Sequence, residues 1–342
     1  MVSRITIVDV ARRAGVSKGA ASHALNELPG VSEETRARVK AAAVELGWSP
    51  NGVARALSGS RAGAIGWAIV RSAKSSTIDP YFTELFAGIE VELAQTDVAL
   101  VVKLVADRDQ EEALYRRWAA ERRVDGVLVT DVDVNDRRFG LLDELGLPAV
   151  AFRSFVGEAP VPDSLPSVWF AEQPVVNSVL DLAARTGHRR VGWISGDPAK
   201  LAVTLRERAA LDWSARTGIT VSTAFTDYST SEGTSAAAAM LGLVERPTFL
   251  VFDNDMMAMA GLSTCHALGL RVPDDVSVAS FIDTDLCSVA VPPITALRHS
   301  TVDSGEIFTH RLLNLLASGS GDDQLLPPLR LIERASTGPA PA

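Results

Sequence analysis

The chain has 342 residues, 47% hydrophobic and 22% charged, with a net charge of −9. That length predicts two or three domains with sizeable cores, and the composition excludes a disordered or fibrous protein and one that coats nucleic acid over its whole surface. Two cysteines without metal-ligand spacing, Asp9 interrupting the N-terminal apolar run, and no stretch near 18 apolar residues point to a soluble, cytosolic protein without metal or disulfide framework.

Charge is unevenly placed along the chain. Within residues 1–60, eight lysines and arginines stand against five acidic residues, so this head carries +3 and the remainder −12. A basic head on an acidic body suggests one localised polyanion site. The head reads as three short helices. Thr6 caps the first, Asp9 stands three residues on as in a capping box, and Ile7, Val10, Ala11 and Ala14 form its apolar stripe before Gly15 breaks it. Ser17 caps a second helix running to about Asn26, with Ala21 and Leu25 on one face. Ser32 starts a third, with Glu33 and Glu34 in its first turn, Val39, Ala43 and Leu46 along it, and Gly47 closing it. Two helices across a Gly-Val-Ser turn make a helix-turn-helix, whose second member can enter the major groove N-terminus first. From periodicity alone, a three-helix bundle without a DNA role remains open.

The segments TIVDVARRAGVSKGAASHALN and VSEETRARVKAAAVELGWSPNGVARALSG resemble the N-terminal domain of the LacI/GalR transcription regulators nearly position for position. The resemblance implies that Lys18, Gly19 and His23 occupy base-reading positions. It implies phosphate contacts from Ser17, Ser22, Asn26, Ser32 and Thr35, with Thr6 also at the DNA. Gly19 has no side chain to read a base, Ala20 stands where Thr is usual, and His23 stands where Arg is common. Neutral imidazole cannot make the bidentate fork to guanine that Arg makes. An atypical half-site follows, in which Lys18 supplies most of the direct readout.

Pro50–Asn51 is a helix-start signal, and Val53, Ala54 and Leu57 give one apolar face over barely two turns. Such a helix is too short to persist alone in water. The resemblance implies that it forms in a dimer on DNA, with Asn51, Ala54 and Leu57 at the minor groove and Leu57 as the wedge between base steps. A flexible tether is the plainer alternative.

From Gly63 the chain alternates apolar strand-like runs (IGWAIV, ALVVKLV, GVLVT, PAVAF, then VWF, RVGWISG, TVSTAF, TFLVF, VSVASF) with amphipathic helical stretches. Alternating β and α with apolar strands means parallel sheets covered on both faces. About ten strands exceed one comfortable sheet, and the Pro-rich stretch 158–166 suggests a break. Two doubly wound lobes follow, with ligand at their facing strand C-termini. DPYFTELFAGIE, RRVDGVLV, TGHRRVGWISG and LGLRVPDDVSVASF extend the resemblance over nearly the whole chain. It implies a periplasmic-binding-protein-like core beneath the all-α head. The expected organisation is a head at 1–49, a hinge at 50–61, a first lobe at 62–164 with 295–320, and a second at 165–294 with 321–338. Helical faces near 81–95 are candidates for a homodimer interface, and two-fold symmetry implies a palindromic double-stranded operator. The short tail STGPAPA has no heptad, so a tetramer is not expected.

By the same resemblance, Arg206 falls on the arginine that holds effector oxygens and Asn254 on an amide that hydrogen-bonds the ligand. Tyr228 falls on an aromatic that packs on it, with Phe82 and Phe170 joining. Arg206 as a surface ion pair and the aromatics as core are the plainer readings. Sugar-binding relatives place carboxylates in the cleft. In this chain Arg153, Ala171 and Ile282 stand at three such positions, leaving Asp283. Arg153 with Arg206 suggests an anionic effector, or else one less hydroxylated than a free sugar; a drifted cleft that still binds a sugar remains open.

No nucleophile elbow, phosphate loop or dinucleotide fingerprint appears, and the five histidines lack metal spacing, so neither an enzyme nor a cofactor is expected. The expectation is a dimeric, effector-responsive transcription regulator, most simply a repressor. A ligand-independent regulator with a degenerate cleft is the alternative.

Overall fold

A computed structural model describes residues 5–25, 29–48, 61–71, 80–156 and 165–341. The chain divides into two compact units, Met1–Gly63 and Ala64–Ala342. Among the described residues no helix is long and apolar enough to cross a membrane.

The head contains α1 (Ile7–Ala14), α2 (Lys18–Leu25) and α3 (Glu33–Glu45). The Asp9 carboxylate accepts from the Thr6 backbone N–H (2.9 Å) and hydroxyl (2.7 Å), which holds Asp9 below its ordinary pKa and fixes the first turn. Gly15, at φ 68°, ends α1 in the left-handed conformation. The core is made of small residues: Val10, Ala11 and Ala14 meet Ala21, Ala24, Val39, Ala42 and Ala43. Little apolar area is available in so small a unit. Polar ties therefore matter: Arg38 Nε donates to the Ala14 carbonyl (3.0 Å), and Arg13 pairs with Glu45 (2.6 Å).

The body begins with β1 (Ala64–Val70), α4 (Pro80–Leu93), β2 (Ala99–Val105), α5 (Arg108–Glu121), β3 (Gly126–Val129), α6 (Arg138–Glu144), β4 (Ala149–Phe155) and β5 (Ser167–Ala171). It continues with α7 (Glu172–Arg185), β6 (Arg190–Ser195), α8 (Leu201–Thr217), β7 (Thr220–Phe225), α9 (Thr230–Leu241), β8 (Phe249–Phe252), α10 (Asp255–Ala267), β9 (Ser277–Ser280) and α11 (Asp285–Val289). The last elements are β10 (Thr295–Arg298), α12 (Thr301–Ser318), β11 (Gln324–Leu325) and β12 (Arg330–Ile332). Two six-stranded sheets result, ordered β11-β5-β4-β3-β1-β2 and β12-β10-β9-β8-β6-β7. Within these sheets, among the described residues, every strand pairing is parallel except β10 with β12, as expected for sheets covered on both faces.

Lobe membership differs from the sequence expectation at three strands. β5 pairs with β4 in register from Ala151↔Ser167, so it belongs to the first sheet, and the second lobe starts at α7 rather than at 165. β10 pairs with β9 in the second sheet, although 295 was expected to open the return to the first lobe. β11 pairs with β5 in the first sheet, although 321 was expected to begin the second lobe's last piece. β4 and β5 are parallel neighbours in one sheet, so the composition change at 158–166 does not mark the lobe boundary; residues 157–164 lie outside the described residues. The chain therefore crosses between lobes three times, at β5–α7, β10–α12 and β11–β12.

α12 returns to the first lobe as expected, and it does so in backbone contact. A Cβ on Gly88 of α4 would lie 1.9 Å from the Val302 carbonyl oxygen, and one on Gly305 of α12 would lie 2.4 Å from that of Leu85. Only glycine at both positions lets the two helices approach this closely. Phe308 and Leu312 of α12 are thereby fully buried against Ile65, Leu85, Ile89 and Leu128, each contributing about 1.5–3 kcal/mol.

Candidate functional site: the second helix of the head and the cleft of the body

In the head, α2 buries Ala21 and Ala24 and leaves Lys18, Gly19 and His23 exposed, with Ser22 half-buried. The four outward positions are spaced i, i+4 in two pairs, so they share one face. The Ser17 hydroxyl accepts from Ala20 N (3.1 Å), the capping contact expected of it. A Cβ on Gly19 would meet only Ser17 Oγ at 3.9 Å, so packing does not demand glycine there. His23 Nδ1 lies 3.2 Å from the Pro29 carbonyl oxygen. Ser32 caps α3, accepting from Thr35 N (3.3 Å) and donating to Thr35 Oγ1 (3.0 Å). Asn26, Asn51, Ala54 and Leu57 lie outside the described residues.

In the body, Arg206 of α8 reaches two buried carboxylates. Nε and Nη2 donate to Glu172 (3.0 and 3.3 Å), Nη1 lies 3.4 Å from Asp253 Oδ2, and the guanidinium sits 4.1 Å from the Phe281 ring. Burial acts to lower the Arg206 pKa, but Glu172 and Asp253 outweigh it and hold it above its ordinary value. Asp253 in turn accepts from Trp193 Nε1 (2.7 Å), Ser195 Oγ (2.6 Å) and Gly196 N (3.1 Å). Glu172 accepts from Ser154 of β4 (2.7 Å), so this cluster joins the two lobes.

Asn254 caps α10, its Oδ1 accepting from Met257 N (2.7 Å), and its Nδ2 points at the Tyr228 carbonyl (3.4 Å). Tyr228 is held at φ 65°, with its ring above Gly196, where a Cβ would fall 1.8 Å from the ring. Arg206, Asn254 and Tyr228 are therefore brought together, with Asp253 and Gly196 between them. Asp283 is used differently: Arg298 (2.7 Å) and Arg334 (2.8 and 2.9 Å) engage both its oxygens, and its side chain is fully buried.

On the first lobe, Phe82 stacks on Trp67 (5.9 Å between centroids) beneath the Arg71 guanidinium (3.9 Å), which pairs with Asp131 (3.3 Å). Phe170 meets Phe152 (5.2 Å) and His299 (5.0 Å) edge to face. Arg153 lies over Trp169 (4.4 Å) and Phe139 (5.0 Å), on the sheet face opposite Ser154. Its charge is thus set against rings.

Three contributors escape the sequence reading: Glu172, Arg71 and His299. His299 sits in the β10–α12 crossing, with Tyr81 (6.2 Å) and Phe170 against it. Its Nε2 is buried and has no hydrogen-bond partner. Burial first, then the charge of Arg206, push its pKa down to about 4, so the ring is neutral at physiological pH. Away from this cluster the lobes are tied by Lys200 Nζ to Asp133 (2.6 Å), Val134 N to the Ala199 carbonyl (2.9 Å) and Leu201 N to the Val132 carbonyl (2.8 Å). Arg108 braces the same Asp133 at 2.6 Å.

Residues 6–51 match the family model described as bacterial regulatory proteins, lacI family, and residues 180–337 match a periplasmic binding protein-like domain. The HTH-type transcriptional repressor PurR of Photobacterium profundum is 32% identical over 312 residues, covering 85% of this chain and 86% of that protein. The HTH-type transcriptional regulator AglR of Rhizobium meliloti is 30% identical over 347 residues, covering 98% and 95%. The Lac repressor dimer bound to operator and the anti-inducer ONPF superposes with a TM-score of 0.79 at 27% identity, covering 98% of this chain and all of that one. The complex of transcriptional regulator CelR with cellobiose gives a TM-score of 0.72 at 25% identity, covering 97% and 100%. With a helix-turn-helix head and a two-lobed body whose second lobe brings Arg206, Asn254 and Tyr228 together, the chain belongs to the lacI family of bacterial transcriptional regulators and is a DNA-binding regulator, not an enzyme.

Proposed function

We propose that this chain is a cytoplasmic repressor that binds a palindromic operator as a homodimer and changes its operator affinity when a small molecule enters the cleft. The observation that carries the effector reading is the buried, unpartnered Nε2 of a neutral His299, set among Tyr81 and Phe170 within the field of Arg206. A buried polar atom left without a partner costs free energy that a ligand hydrogen bond returns. Arg206, Asn254 and Tyr228 supply the second lobe's side, and Phe82, Phe170 and His299 the first lobe's.

The same contacts favour a ligand with a flat apolar part and few hydroxyls over an anion. Arg206 already faces two carboxylates, and Arg153 lies against two rings, so a bound anion meets little uncompensated positive charge. Asp283, engaged by two arginines, is a poor acceptor for sugar hydroxyls. Ligand binding would shift the population of lobe arrangements and thereby operator affinity, with the Lys200–Asp133 tie among the contacts that must adjust. Exposed Phe86 and Val91 on α4, in the stretch named from the sequence, and Leu104 on β2, outside that stretch, are the proposed dimer face.

A regulator that needs no ligand is the competing reading, favoured by the cleft's own ion cluster around Arg206. Titration calorimetry of the purified protein with a panel of neutral aromatic, anionic and sugar metabolites separates the two. The proposal expects tight binding of a weakly hydroxylated ligand, lost in His299→Phe, with altered operator protection in footprinting. Tight binding of a sugar phosphate that depends on Arg153 would overturn the ligand class. Binding by nothing in the panel, with full operator protection throughout, would favour the ligand-independent reading.

A further inference from the structure

The contact of His23 with Pro29 has a chemical consequence for base recognition. A carbonyl oxygen only accepts hydrogen bonds, so the Nδ1 that lies 3.2 Å from it must carry the proton. In a neutral imidazole the other nitrogen, Nε2, is then a lone-pair acceptor. His23 is exposed on the outward face of α2, the second helix of the helix-turn-helix, one turn beyond Gly19, which offers no side chain of its own. The 29–30 backbone stays close to the ring: a Cβ on Gly30 would lie 3.9 Å from Nδ1. The ring is therefore held against the Pro29–Gly30 backbone, with its acceptor nitrogen on the other side.

We propose that His23 is a specificity-determining residue that selects an amino-bearing base, adenine or cytosine, on the strand it faces, and discriminates against guanine and thymine. In the major groove adenine N6 and cytosine N4 donate, whereas guanine O6 and thymine O4 accept. An arginine at this position would donate to guanine; a histidine whose only N–H is engaged by Pro29 presents the opposite polarity. The inference rests on the head's DNA-binding role and goes beyond it by assigning the sign of one contact. Lys18, a pure donor, reads acceptors, so the two side chains together demand a half-site of mixed polarity.

The test is binding-site selection with the full-length protein at pH 8, run for the wild type, His23→Arg and His23→Ala. The half-site position whose preference changes between wild type and His23→Ala is the one that residue 23 reads. The strand on which His23→Arg selects guanine there is the strand it faces. The expected result is adenine or cytosine on that strand for the wild type, with about tenfold weaker binding when guanine replaces it, the effect of one lost base contact. Guanine or thymine selected by the wild type on that strand overturns the proposal. So does a selected sequence that His23→Ala leaves unchanged at every position. A protein that selects no sequence at all instead defeats the DNA-binding reading itself. Nitrogen-15 spectra of the histidine-labelled full chain, assigned through His23→Ala, supply a second readout. They should show a protonated Nδ1 and a bare Nε2, and the reverse tautomer overturns the proposal irrespective of DNA.

Discussion

The head and the body solve the same problem with opposite means. Among its described residues the head packs a core of eight buried side chains, six of them alanine, and relies on local caps and a few ties such as Arg38 to the Ala14 carbonyl. The body buries Trp67, Trp118 and Trp213 with two parallel sheets, and it can hold ionised clusters out of water. What the difference teaches is where each function can reside. The head's proposed working surface is a short run of one helix, set by neighbours in sequence. The body's proposed effector site is assembled from residues such as Glu172, Arg206, Asp253 and His299, which only the fold brings together.

The largest test of that contrast is Arg206→Met. It leaves Glu172 and Asp253 as buried carboxylates without their cation, and about 3–5 kcal/mol of body stability should be lost. Urea denaturation followed by tryptophan fluorescence measures it, and a loss under about 1 kcal/mol would mean the cluster is as inconsequential as a surface pair. A smaller effect concerns pH. The folded-state pKa of His299, about 4, lies below the unfolded value, so the unfolded chain binds the extra proton first as pH falls. Stability from this group is complete above about pH 7 and drains away between the unfolded and folded pKa values. Acidification from pH 7 to 5 should therefore cost roughly 1–2 kcal/mol that is absent in His299→Gln, as read from denaturation midpoints at the two pH values. Equal acid sensitivity in both proteins would show the ring to be solvated. The smallest change is in the head: Arg38→Met removes the donor at the end of α1 and should cost about 1 kcal/mol. Operator affinity should fall accordingly, while the tryptophan signal of the body keeps its midpoint. A shift in that midpoint would break the independence assumed for the two regions.

The same contrast explains how far sequence reading carries. The helices of the head were legible because caps and stripes are written within a few residues: Thr6 with Asp9, Ser17 with Ala20 and Ser32 with Thr35 all stand three apart. Alternating strands made two lobes legible as well. Their membership was not, because β5, β10 and β11 are short, so nothing local tells which sheet will accept them. In the cleft, the grouping of Arg206, Asn254 and Tyr228 was anticipated through the family resemblance. Glu172 was passed over beside Ala171, and His299 gave no signal, since its environment comes from Tyr81 and Phe170, far away along the chain. Asp283 carried the opposite error: it looked like a free acceptor because Arg334, its partner, lies 51 residues on.

The glycine crossing of α4 and α12 also bears on how the molecule is made. The first lobe opens with β1 at Ala64, yet its core closes only when Phe308 and Leu312 arrive on a helix held in place by Gly305 against Gly88. A ribosome adding residues one by one completes the second sheet's β6, β7, β8 and β9 before α12 exists. The lobe begun first is consequently finished last, and until then Ile65, Leu85 and Leu128 lack part of their cover. A nascent chain stalled short of residue 301 should therefore present a sticky first lobe beside a second lobe that lacks only its edge strand β12.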